Sequence, residues 1–76
     1  MGVYMRKNYS ISEANHLLDS SVTATALALV PSGTRGKITD VRRTTEGFLI
    51  HVEWETGVGD WLTRREAEAQ FVKSAK

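Results

Sequence analysis

Residues 48–54 read Phe48-Leu49-Ile50-His51-Val52-Glu53-Trp54, with a glycine-bearing turn on either side. Phe48, Ile50, Val52 and Trp54 alternate with Leu49, His51, Glu53 and Glu55, so an extended chain sends the first set to one face and the second to the other. A strand of this kind needs apolar cover on one side only, and its flanks supply neighbours. Gly33-Thr34-Arg35-Gly36 leads into a strand over 37–43, with both glycines expected to permit positive φ. Thr44-Thr45-Glu46-Gly47 is a polar hairpin connection, and Thr56-Gly57-Val58-Gly59 turns the chain into a further strand beginning Asp60-Trp61-Leu62. The result is a mainly β fold with its core on the Phe48, Ile50, Val52, Trp54 face.

Helices frame this sheet. Ser10-Ile11-Ser12-Glu13 is a capping box, in which the serine hydroxyl serves an amide three residues on and the glutamate reaches back. It predicts an amphipathic helix from Ile11 to about Asp19, with Ile11, Ala14, Leu17 and Leu18 as its apolar stripe and Tyr9 stapled to Ala14. Thr63-Arg64-Arg65-Glu66 is a second capping box, opening a helix of one or two turns before Phe71-Val72 return as a short strand or anchor. Between the first helix and Pro31, residues 22–30 read as a strand from Val22, Thr23 and Thr25, with Leu27 and Leu29 on one face. The alanines at 24, 26 and 28 also allow a continued helix.

A chain of 76 residues makes one domain with a thin core, which homo-oligomerisation would reinforce. The division expected is an N-terminal arm over 1–9, a helix over 10–20, the β core over 22–72 and a frayed tail over 73–76. The absence of cysteine fits a reducing compartment, so the cytoplasm is expected. No stretch reads as a secretory signal or a membrane span, and no membrane role is expected. Asn8-Tyr9-Ser10 matches a glycosylation sequon and, without an export signal, is read as chance.

Ten basic against nine acidic residues leave a net charge of +1, so no global field draws in a polyanion. Local clusters remain: Arg6-Lys7, Arg35 with Lys37, Arg42-Arg43, Arg64-Arg65, and Lys73 with Lys76. Interleaved Asp40, Glu46 and Glu53 give these the composition of an ordinary solvated surface. His51 and Glu53 share a strand face, a spacing that serves a metal or a base pair but more often marks an exposed β-surface. There is no phosphate loop, nucleophile motif or zinc-binding helix, and no cofactor or metal is expected. Trp54 is in phase with the core set. Trp61, at the start of a strand, divides between closing the core and forming a half-exposed platform.

From Gly33 to Phe71 the Gly-Thr-x-Gly turn, the Val52-Glu53-Trp54 strand and the following glycine turn resemble small SH3-like barrels. They are most similar to an uncharacterised family of small bacterial and phage domains. The MIB/HERC-type domain of ubiquitin ligases has a similar glycine turn and Val-x-Trp strand, and there the domain binds protein. A more distant resemblance is to the plasmid-borne type II dihydrofolate reductases. Their pore-lining Gln-Ile-Tyr strand is replaced here by Asp60-Trp61-Leu62, so no catalytic residue carries over.

These resemblances imply an SH3-like barrel of about five strands, with an N-terminal helix and a short helical turn before the last strand. They also imply a non-catalytic binding or adaptor role in a bacterial or mobile-element accessory protein. The candidate binding residues are Trp61, Arg35, Arg42, Arg43, Leu49, His51, Arg64 and Arg65. A protein or peptide partner is the leading expectation. Nucleic acid, gripped by Trp61 and the arginines, is the alternative.

Overall fold

The computed structural model describes residues 8–74. Most of the expected arm, the Arg6-Lys7 pair and the end of the tail with Lys76 lie outside the described residues. In chain order the elements are α1 (Ile11–Leu17), β1 (Ser21–Ala24), β2 (Arg35–Thr44), β3 (Gly47–Trp54), β4 (Gly59–Leu62), α2 (Arg64–Gln70) and β5 (Phe71–Lys73). The strands form one antiparallel sheet in the order β4-β3-β2-β1-β5, and the mainly β expectation of five strands and two helices holds. β4 and β5 are its edges, linked in sequence by α2, which packs against both. No helix among the described residues is long and apolar enough to cross a membrane.

The core lies on the face that the alternation in β3 designates. Ile38, Ile50, Val22 and Val52 are fully buried, and Trp54, Leu62, Ala24, Phe71, Ala14 and Ala67 join them. Phe48, Val41 and Leu17 pack at its margin. Both capping boxes form. The Glu13 amide donates to Ser10 Oγ at 3.1 Å and the Ser10 amide to Glu13 Oε1 at 2.9 Å. Thr63 and Glu66 repeat the exchange at the start of α2.

Several expectations are corrected. α1 stops at Leu17, because Asp19 takes a positive φ of 70° and reverses the chain, and its amide donates to the Ile38 carbonyl at 2.8 Å. Of its expected stripe only Ala14 and Leu17 pack on the sheet; Ile11 and Leu18 are exposed. The segment 22–30 is neither a long strand nor a helix. β1 ends at Ala24, after which the Thr25 amide donates to the Gln70 carbonyl, and turns carry the chain to Pro31. Leu27 and Leu29, expected to share a buried face, are 71% and 74% exposed. Gly33 has the positive φ assigned to it, at 90°, whereas Gly36 lies inside β2 without one. Gly36 makes room instead. A Cβ there would fall 2.6 Å from Trp54 Cε3, so the indole takes the space a side chain would need.

Two features escaped sequence reading. Asn8 is buried, its Nδ2 donating to Thr44 Oγ1 at 3.3 Å and its Oδ1 accepting the Arg64 amide at 3.2 Å. It therefore ties the β2–β3 hairpin to the first turn of α2, while the adjacent Tyr9 bridges to Phe48 of β3. The apparent sequon is a structural joint. The second feature is a bulge in β2, where the pairing steps from Ile38↔Val52 to Asp40↔His51 and leaves Thr39 as the extra residue. Beyond it the facing of every β2 side chain is reversed. Val41, not Asp40 or Arg42, turns toward the core.

Candidate binding face on strands β2 to β4

The face of the sheet opposite the core carries Leu49 and His51 from β3, Trp61 and Gly59 from β4, and Arg42 from β2. In the pairing Arg42 stands across from Leu49, and His51 stands between Asp40 and Trp61. The Arg42 side chain crosses β3 and lays its guanidinium carbon 4.5 Å from the centre of the Trp61 ring. Such cation–π contacts contribute about 0.5–1 kcal/mol at exposed sites, enough to bias the side chain toward one placement. Trp61 is half-buried, intermediate between closing the core and standing free.

His51 holds the other flank. Its ring centre is 4.9 Å from that of Trp61 at an interplanar angle of 56°, and Thr39 Oγ1 is 2.9 Å from its Nδ1. The bulge thus supplies the hydroxyl that orients the imidazole. A Cβ on Gly59 would lie 2.9 Å from His51 Nε2, so this glycine, like Gly36 on the inner face, leaves space for a neighbouring ring. Leu49, Arg42, Trp61 and His51 form one continuous patch around an oriented guanidinium.

Arg42 differs from Arg64 in its partners. Arg64 donates through Nε to Glu68 Oε2 at 3.2 Å, approaches Glu13 Oε1 at 3.9 Å and lies over the Tyr9 ring. The hydrogen bond to Glu68, and then the charge of Glu13, hold its pKa above the usual arginine range. No carboxylate among the described residues pairs with Arg42, and Asp40 on the same strand turns its Oδ1 to the Val41 amide at 2.9 Å. Among the described residues no hydrogen bond or ion pair engages the Arg42 guanidinium, so its donors are available.

The remaining candidates are dispersed. Arg43 points to the opposite face at the tip of the hairpin, 5.8 Å over Phe48. Arg35 lies across from Thr23 in a broad groove with Lys37, Lys73, Asp19, Glu53 and Glu55, about 1080 Å³ in volume and balanced in charge. Arg65 is exposed on α2, and Arg64 is tied into the α1–α2 junction. The eight residues singled out from sequence therefore resolve into one cluster of four and four separate arginines. No group of three or more His, Asp or Glu side chains among the described residues could hold a metal ion.

Comparison with known proteins brings no further constraint: no family model, curated protein or solved structure matches this chain.

Proposed function

We propose that this chain is a non-catalytic, SH3-like binding domain, and that the face built from Leu49, His51, Trp61 and Arg42 receives a segment of a protein partner. The observation that carries the reading is the oriented Arg42 guanidinium. It rests on Trp61 without a carboxylate partner among the described residues, beside the half-buried Leu49. An apolar platform with one pre-placed cation is the chemistry of a peptide-recognition surface, where burial supplies affinity and a charged group supplies register. The SH3-like assignment draws support from the long β2–β3 hairpin, the short β4, and a final strand that follows a single short helix to pair with β1. The cysteine-free composition fits an intracellular setting.

Nucleic-acid binding is the weaker reading for two physical reasons. Arg42 and His51 already cover the Trp61 ring on which a base would stack, and of the other candidate arginines Arg43 points to the opposite face, Arg64 and Arg65 belong to α2, and Arg35, on the same face as Arg42, is separated from it by Asp40. A photo-crosslinking phenylalanine analogue at Leu49 tests the choice in host lysate, with the same analogue at exposed Ala69 as control. Polypeptide adducts specific to position 49 are expected. Nuclease-sensitive adducts, or equal labelling at both positions, would overturn the reading.

A further inference from the structure

Resting on that reading, we infer that the bound segment carries a carboxylate, an Asp or Glu side chain next to a bulky apolar residue, and that Arg42 is the group that recognises it. The guanidinium is a planar fork that matches a carboxylate bidentately, and here it is already placed before any ligand arrives. Holding a long, rotamer-rich side chain in its bound position lowers the ordering cost of association, and the Trp61 ring does this while no hydrogen bond or ion pair among the described residues occupies the guanidinium donors. His51 is in turn held by Thr39 and seated over Gly59, so the indole has a defined neighbour on its second flank.

Charge complementarity selects the class of partner. Arg64 has two carboxylates from its own chain, whereas Arg42 has none within ion-pair distance among the described residues, which leaves its guanidinium unpaired beside Leu49 and Trp61. The same face also carries Asp40 across from His51, and Glu53 between Lys37 and Gly59. Both acids lie on one side of Arg42 along the strands, Asp40 in the neighbouring row and Glu53 farther off across from Lys37, so an anion next to the one held by Arg42 would meet Asp40, and a single carboxylate between apolar side chains fits better than a polyanion. Leu49, across from Arg42, and the indole edge of Trp61 supply the apolar contacts on either side.

Selection of a random peptide library displayed on phage against the full chain tests the inference. Enriched peptides are expected to share an Asp or Glu adjacent to an aromatic or aliphatic residue, and to lose at least about tenfold in affinity against Arg42→Ala. Arg42→Lys should recover only part of that loss, since an ammonium is a point charge rather than a fork. Arg42→Glu should shift enrichment toward Lys- or Arg-bearing peptides. Circular dichroism of each variant reports whether the exposed substitution has left the fold intact. Peptides that lack an acidic residue and bind Arg42→Ala unchanged, yet lose binding to Trp61→Ala, would overturn the inference while leaving the peptide-binding reading standing. No enrichment on the wild-type chain would overturn both. Tight binding of a single-stranded oligonucleotide that falls steeply with salt would replace the carboxylate by a phosphate backbone.

Discussion

The six-membered ring of Trp54 lies directly on Gly36, close enough that a Cβ at residue 36 would meet Trp54 Cε3 at 2.6 Å and the Glu53 carbonyl oxygen at 3.0 Å. One of these obstacles is backbone in a paired strand and cannot move aside cheaply. Gly36→Ala is therefore expected to destabilise the fold by about 1–3 kcal/mol, the range for overpacking a well-filled core. Urea denaturation measures this. An unchanged midpoint would mean that the indole has another place to go.

Asn8 joins two elements far apart in sequence through both ends of its amide. Replacing it with alanine leaves the Arg64 amide and the Thr44 hydroxyl without these partners in a part-buried place, and about 1–3 kcal/mol of stability should be lost. Asn8→Asp keeps the acceptor for Arg64 and loses the donor to Thr44, so its denaturation midpoint should fall between those of the wild type and Asn8→Ala. Equal midpoints for all three would remove Asn8 from this role.

Burial raises the pKa of Tyr9 above its ordinary 10.0, with Glu68 and Glu13 adding to the effect and Arg64 opposing it. The folded state thus holds the phenolic proton more tightly than the unfolded one. This contribution to stability is fully present below pH 10.0 and is lost as pH rises through the folded-state pKa. In a Tyr4→Phe background, a spectrophotometric titration of phenolate absorbance should show Tyr9 ionising above its ordinary 10.0. Arg64→Gln should delay it further and Glu68→Gln should advance it, with the opposite order contradicting the electrostatic assignment.

Leu27 and Leu29 stand in solvent on the turns after β1. The double substitution Leu27→Ser/Leu29→Ser should change stability by no more than about 0.5 kcal/mol, as expected of surface positions. Ile38→Ala, at a fully buried position of β2, should cost about 2–5 kcal/mol. A loss at the double variant comparable to that at Ile38 would restore the buried strand over 22–30 that the alternation suggested.

Local structure is legible in the sequence where the physics is local. A capping box needs only residues three apart, and both boxes open helices at the expected positions. The period of two in β3 identifies the core face, because consecutive side chains in a strand alternate whatever surrounds them. The segment 22–30 is not legible because β-branched residues, alanines and leucines there are compatible with strand, helix or turn, and its contacts, such as the Thr25 bonds to Ala69 and Gln70, come from a distant part of the chain. The bulge left one trace, since Ile38 and Val41 both pack inward at a spacing of three that no regular strand allows.

Trp61, Arg42, His51 and Leu49 were each visible as candidates, but their grouping depended on Thr39. Without that extra residue an unbroken β2 would send Arg42 to the same face as Ile38, and Arg43 would take its place outside. What the sequence determined by itself was the set of elements: capped helices, glycine turns and an alternating strand, each encoded within a few residues by dihedral preference and side-chain period. What only the tertiary structure decided was which polar side chains meet. That choice rests on cross-strand register and on close ring-over-glycine contacts at Gly36 and Gly59, and both are properties of paired strands rather than of any single one.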